Sequence, residues 1–354
     1  MLPGVLEALD VFPHRGGGAE TFVDCLEPAD AAHPWLHVRT YLSSGRSSPA
    51  AMRSIPFGLV RGRRLARNRS VVISHGDVAG VFATVVAGGT PRVAVMQGMH
   101  LVRRTSGVSR WVVRWAMRMT FRNVRVVVCS SDAERQEVLA LAPKVARRIV
   151  VFANSVPARL TVGSESRDSI RADLSIGDGT VVVVYVGEVE PRKRVLDAAA
   201  AVARARDQGV DVDLLVVGDG PELPMVRQVR SGGRPVAHCV GRKADVAAFL
   251  AAADIFVMPS EREGQSFAVL EAMAAGLALI VSDGPGNAEA VGADGVVVGL
   301  GDVAGLAAAI GQLAGDEAAR AALGARAAAR FERLHSNDAF RRAMSRACAV
   351  AVDG

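Results

Sequence analysis

The sequence predicts two doubly wound α/β domains in tandem. Three observations lead there. Short apolar runs alternate with amphipathic stretches along the chain, the pattern of βαβ units and a parallel sheet. The pattern breaks once, over residues 157–180, and then starts again. The chain has 354 residues, half of them hydrophobic, which suits two domains at roughly 100–200 residues each.

The elements follow in order. Residues 5–12 read as a strand, and Arg15, Gly16, Gly17, Gly18, Ala19 and Glu20 as a tight turn into a helix. Residues 36–42 and 71–74 are further strands. Residues 79–87 are helical, 92–96 a strand, 111–121 a helix and 124–129 a buried strand. Pro157, Gly163, Ser164, Ser166, Gly177 and Gly179 punctuate the break, which reads as a linker. Residues 180–186 form a continuous β-branched run, as in a strand covered on both faces. Residues 195–206 are helical and 213–217 a strand ending in Gly218, Asp219, Gly220 and Pro221. Then come a helix over 244–252, a strand over 255–258, a helix over 267–275 and a strand over 277–281. From 303 onward the chain is almost all helix. The expected division is an N-terminal domain over 1–160, a second over 161–330 and a final helical segment over 331–354. Ligands of such sheets bind beyond the carboxyl ends of the strands.

Composition narrows the partners. The net charge of +6 hides an asymmetry, because residues 1–160 carry +12 and residues 161–354 carry −6. A basic first half suggests an anionic partner such as a membrane surface, or a complementary pair of domains. No motif accompanies it that would point to nucleic acid. Cys25, Cys129, Cys239 and Cys348 are far apart in sequence, which fits a reduced compartment and argues against a disulfide framework or zinc site. No basic-then-apolar leader opens the chain, and no uncharged apolar run reaches the ~18 residues of a membrane span. The expected location is the cytoplasm, with at most peripheral membrane contact. Arg110, Arg114, Arg118 and Arg122 recur every fourth residue beside Trp111 and Trp115. We read this segment as a packed helix with its tryptophans in the core, the alternative being a helix lying on a membrane surface.

The most informative segment runs from Met258 to Met273. A strand ends at Met258, a loop carries Glu263 and Gly264, and a helix starts near Ser266. Such a helix start offers free backbone N–H groups and the positive end of the dipole, which is a diphosphate site. Glu271 falls on an otherwise apolar helix, where a carboxylate is costly unless it is hydrogen-bonded. Asp211-Val212-Asp213 spells the D-x-D of metal-dependent sugar transfer but reads better as a solvated strand end. His33 and His37 are four apart, yet Pro34 interrupts any helix and no third ligand is evident, so a zinc site is not expected.

Glu263 and Glu271, with seven residues between them and followed by Ala-Met-Ala-Ala-Gly276, resemble the E-x7-E region of family-four retaining glycosyltransferases, which have the GT-B fold. The resemblance extends to 187–194, to Gly218–Pro221, to Val240, Gly241 and Arg242, to Gly286–Glu289, and to Gly17–Glu20, 127–131 and 154–156 in the first half. It implies two Rossmann-like domains facing a central cleft, an acceptor domain first and a donor domain second, with the last helix returning to the first. It implies a retaining transfer of a sugar from a nucleotide diphosphate donor, UDP favoured over GDP, with no metal or other cofactor. Glu271 would hold the ribose. Glu263 and the backbone of Gly264, Gln265, Ser266 and Phe267 would hold the sugar and diphosphate. Lys193 would neutralise the diphosphate, and Gly17, Gly18, Gly187 and Gly241 would let backbone approach the donor. The acceptor would be a small hydrophilic molecule or a glycan or lipid at a membrane face.

Two positions depart from the family pattern. Glu188 stands where an arginine is usual, so Arg192 or Arg194 would supply the charge and Glu188 would turn away. Gln97 stands where a histidine near the acceptor is usual, leaving His100 and His75 as candidates. These departures are the features that would support the alternative reading, a non-catalytic nucleotide-sugar-binding module. A nicotinamide-dependent oxidoreductase would need G-x-G-x-x-G after the first strand, and Gly16–Gly18 followed by Ala-Glu-Thr does not supply it.

Overall fold

The computed structural model describes residues 6–13, 18–27, 30, 33–42, 49–97, 102, 105–156, 164–243 and 245–354. The chain divides into two compact units, Met1–Pro157 with Ser336–Gly354, and Ala158–His335.

The first unit is built on six parallel strands: β1 (Leu6–Phe12), β2 (Trp35–Tyr41), β3 (Val71–His75), β4 (Arg92–Val95), β5 (Val126–Cys129) and β6 (Ile149–Val151). Their order in the sheet is β2-β1-β3-β4-β5-β6. β3 and β5 are buried at every position, because helices cover both faces of a parallel sheet. Helices Pro49–Ala66, Gly76–Ala87 and Gly107–Asn123 pack side by side in one layer. Helix Asn337–Asp353, the last of the chain, packs on β3, β4 and β5. Its Phe340 meets Phe22 edge-on at 4.8 Å and Phe152 at 5.8 Å between ring centroids.

The second unit holds β7 (Val181–Val186), β8 (Val212–Val217), the short pair β9 (Arg230–Ser231) and β10 (Arg234–Pro235), β11 (Ala237–Gly241), β12 (Ile255–Met258), β13 (Ala278–Ser282) and β14 (Val296–Val298). Its six-stranded parallel sheet runs β11-β8-β7-β12-β13-β14. The chain starts in the middle at β7, builds outward to β11, then crosses back to β12. The crevice between the carboxyl ends of β7 and β12 is therefore a topological switch point.

Several expectations need correction. Part of the presumed linker is helix Ser164–Asp173. It is strongly polar and shows no apolar stripe. Ion pairs hold it instead: Arg167 and Arg171 each reach Asp254 at 2.7 Å, and the same carboxylate accepts from the backbone of Val182 at 2.8 Å. Helix Pro49–Ala66 is absent from the reading because Pro56, Gly58 and Gly62 blur its periodicity. The helix expected over 244–252 is only Ala247–Ala251. The tryptophans of helix Gly107–Asn123 do not enter the core. Its inward residues are Met117, Thr120 and Phe121, while Trp111 and Trp115 are exposed. No helix among the described residues is long and apolar enough to cross a membrane.

Candidate functional site

The residues that the sequence singles out in the second unit gather at the switch point. After β7 the chain makes a 3-10 turn, Pro191–Lys193, and leaves it through Arg194 in the left-handed conformation at φ 53°. After β12 it runs through the loop 259–266 into helix Phe267–Ala274. Because β7 and β12 are neighbours, these two loops touch. The backbone N–H of Glu261 donates to the Arg192 carbonyl at 2.9 Å. Lys193 Nζ donates to Glu263 Oε1 at 2.6 Å, and Arg192 Nη1 lies 3.5 Å from the same oxygen. Arg192 Nε is 2.7 Å from Glu190, and Arg194 Nε is 2.7 Å from Asp197. Three consecutive cations thus sit at the strand ends, each facing a carboxylate. Lys193 is the buried one of the three.

Ser266 stands at the N-cap of helix Phe267–Ala274, but its side chain makes no capping bond. The N–H groups of the first turn are therefore not taken up by Ser266 and can meet an anion. Gly264 and Gln265 lead into that turn, and Phe267 opens it. Glu271 lies one turn further on. No donor among the described residues hydrogen-bonds its carboxylate. Burial pushes that carboxyl up to about 7, and the nearby charge of Asp245 adds to the effect.

Close backbone packing fixes both loops. A Cβ on Gly218 would overlap the Gly187 carbonyl, so the loops after β7 and β8 lie backbone on backbone. Tyr185, buried beneath them, donates to the Glu188 carbonyl at 2.7 Å. Gly241 ends β11 at a register shift, at φ 74°, and its carbonyl accepts from Gly218 N–H at 2.9 Å. Under the Glu263 loop, Asn287 donates to Ser260 Oγ at 2.8 Å and Ser282 donates to the Ser260 carbonyl at 2.5 Å. Tyr185 and Ser282 escaped the sequence reading, and Ser260 was read only as part of the segment from Met258 to Met273. A polar residue at the end of an apolar run is the signal that points to them.

The first unit's candidates fare differently. Gly16, Gly17 and His100 lie outside the described residues. Gly18 is the first residue of helix Gly18–Asp24. His75, expected near sugar or acceptor, is 1% exposed and stacks on Phe12 at 4.7 Å. Its Nε2 donates to Asp10 at 2.7 Å. His37 Nδ1 donates to the other Asp10 oxygen at 2.6 Å, and His37 Nε2 lies 2.7 Å from His33 Nε2. His33 Nδ1 in turn donates to the Arg341 carbonyl at 3.2 Å. His75 is thus committed to an internal network, and burial keeps it from any sugar. Burial alone would raise the Asp10 carboxyl, but His37 and His75 outweigh it and hold that group well below the usual carboxylate range.

Both residues of the D-x-D segment are engaged. Asp211 accepts from Thr180 at 3.1 Å. Asp213 pairs with Arg206 and, at 2.7 Å, with His238. Among the described residues no three His, Cys, Asp or Glu side chains are placed to hold a metal ion.

Comparison with known proteins gives the fold and the family. HepE of Anabaena, solved in complex with UDP, matches with a TM-score of 0.81 at 18% identity, over 96% of this chain and 99% of that one. The fold is GT-B. Residues 180–316, which hold the switch-point site, match the family model for glycosyl transferases group 1. A GDP-mannose-dependent alpha-mannosyltransferase of Mycolicibacterium smegmatis is 30% identical over 280 residues, covering 75% of this chain and 69% of that protein. The chain belongs to the group 1 glycosyl transferases. The lipopolysaccharide core biosynthesis glycosyltransferase LpsD of Rhizobium meliloti is 33% identical over 209 residues, and the match spans 58% of each chain.

Proposed function

We propose that this protein is a retaining glycosyltransferase that moves a sugar from a nucleotide diphosphate donor to an acceptor hydroxyl without a metal. The observation that carries the reading is the contact of Lys193 with Glu263 beside the helix start at Ser266, with Glu271 on the same helix. A diphosphate arriving there outcompetes Glu263 for the ammonium, since it carries more charge and also meets the first-turn N–H groups. Glu263 is then released toward sugar hydroxyls. Glu271 accepts from the ribose hydroxyls, which compensates a carboxylate that is otherwise buried at a cost. Lys193 and the helix dipole stabilise the charge that builds on the leaving diphosphate.

The bond from the anomeric carbon to the phosphate oxygen breaks. The acceptor hydroxyl attacks from the face the diphosphate leaves, and a phosphate oxygen takes its proton. Configuration is kept, and no side chain is needed as nucleophile or general base. The donor is a UDP-sugar in preference to a GDP-sugar. The acceptor is a glycan or lipid hydroxyl at an anionic membrane face, a reading supported by the basic first unit.

Calorimetric titration of UDP, then GDP, in EDTA tests the site on the wild type and on Glu271→Ala. Metal-free binding of one nucleotide, lost in the variant, supports it. Binding that requires Mg²⁺ defeats the metal-free mechanism. Nucleotide binding without transfer or hydrolysis of any donor sugar moves the non-catalytic module to first place.

A further inference from the structure

Helix Gly107–Asn123 has two faces of opposite use. One carries Met117, Thr120 and Phe121 into the first unit, against helix Gly76–Ala87. The other carries Val108, Trp111, Val112 and Trp115, spaced i, i+3, i+4 and i+7, which puts all four on one stripe. All are exposed: Val108 82%, Trp111 69% and Trp115 54%. Leaving two tryptophans and two valines in water is costly, and an apolar stripe this size marks an interaction site. The third tryptophan of the chain, Trp35, is in the core.

The charge on the helix itself has one sign. The helix holds Arg110, Arg114, Arg118 and Arg122 and no acidic residue. From residue 43 to 131 the sequence contains 15 arginines and a single acid, Asp77, and Asp77 is buried. Helix Pro49–Ala66, in the same layer, adds exposed Phe57 and Val60 and has no acid either. We infer that this helix layer docks the protein on an anionic lipid bilayer, with Trp111 and Trp115 entering the interface and the arginines on the lipid phosphates.

The composition of the stripe decides among partners. Aromatic residues with arginine also suit single-stranded nucleic acid, where bases stack on the rings. Val108 and Val112 gain nothing from stacking, whereas aliphatic side chains do partition beside acyl chains. Tryptophan favours the interfacial depth. Arginines flanking the stripe can keep their heads at the phosphates while their stems cover apolar surface.

This deepens the membrane-face reading of the acceptor and makes no use of the donor site. The test is co-sedimentation with vesicles of phosphatidylcholine alone or mixed with phosphatidylglycerol, with tryptophan emission followed in parallel. The wild type is expected to bind only the mixed vesicles, with a blue shift that Trp35 cannot produce because it is already buried. Trp111→Ser with Trp115→Ser should cut partitioning by about tenfold or more. Arg110→Gln with Arg114→Gln should cut it about fivefold per arginine, and added salt should mimic that change. Unaltered melting and UDP titration in these variants show that fold and donor site are intact, so a failure of either reading is seen separately. Equal binding to both vesicle types, no binding, or binding unchanged in the variants overturns the inference. So does capture of single-stranded DNA, or a dimer in sedimentation velocity, that the tryptophan variant abolishes while vesicles do not bind.

Discussion

Lys193 Nζ and Glu263 Oε1 stand 2.6 Å apart where the loops after β7 and β12 meet. A buried ammonium beside a developing diphosphate is an electrostatic catalyst, and removing one such group costs on the order of 100–1000-fold in kcat. Lys193→Ala is therefore expected to lose that much in a donor-transfer assay. A loss under tenfold would move the charge role to Arg192 or Arg194. Glu271 works in the opposite sense for stability. Its carboxyl is raised from 4.5 to about 7. A raised carboxyl contributes stability that is present below about 4.5 and lost as pH rises through about 7. Glu271→Gln should therefore stabilise the nucleotide-free protein at pH 8 by about 2–3 kcal/mol in denaturant unfolding. The same variant should bind UDP about 10–100-fold more weakly, through loss of a charged hydrogen-bond acceptor. A variant that is neither more stable nor weaker in binding would refute the ribose role.

At the scale of elements, the Glu263 loop is held from below by the loop after β13. Glu263 N–H donates to the Pro285 carbonyl at 3.0 Å. Gly286, at φ 92°, sits where a Cβ would overlap the carbonyl oxygens of Glu263 and Gly264. Gly286→Ala must move that loop and strain its own backbone. Activity is expected to fall more than stability does, read as a large drop in kcat beside a change in melting temperature of a few degrees. A variant with full activity would show that the loop position is not critical. Strands β7, β8, β12 and β13 were legible in sequence because fully buried parallel strands read as near-continuous apolar runs. Helix Ser164–Asp173 was not, since paired arginines on Asp254 hold it and such pairing leaves no periodicity. The exposed stripe of helix Gly107–Asn123 was ambiguous for another reason. Periodicity shows that a helix has two faces, but not which of them the fold covers.

At the scale of the molecule, the last helix belongs to the first unit although it follows the second in sequence. Phe340, Met344, Ala347, Cys348 and Ala351 are all buried. Deleting residues 336–354 should unfold the first unit and leave the second folded, seen in calorimetry as loss of one of two transitions. Retention of both would mean that the helix is dispensable. The Arg341 carbonyl also ends the chain of hydrogen bonds through His33 and His37 to Asp10. Burial, with the neighbouring His37, lowers His33 from 6.5 to about 3. A lowered histidine contributes stability that is present above about 6.5 and lost as pH falls toward 3. Acidification from pH 7 to 5 should cost the first unit about 2 kcal/mol. All three tryptophans lie in that unit, so their fluorescence reports it. His33→Asn should remove most of this pH dependence, and an unchanged slope would place its origin elsewhere.

The sequence by itself determined the class of fold and most of the strand runs of the two sheets, though not β6 or β14, because these depend on local pattern and short spacing. Tertiary structure alone decided the rest. It paired Lys193 with Glu263, 70 positions apart, because the strand order makes β7 and β12 neighbours. It buried His75 on Asp10, and it turned Trp111 and Trp115 outward. Each of these rests on which surfaces of distant segments meet, and no local pattern encodes that.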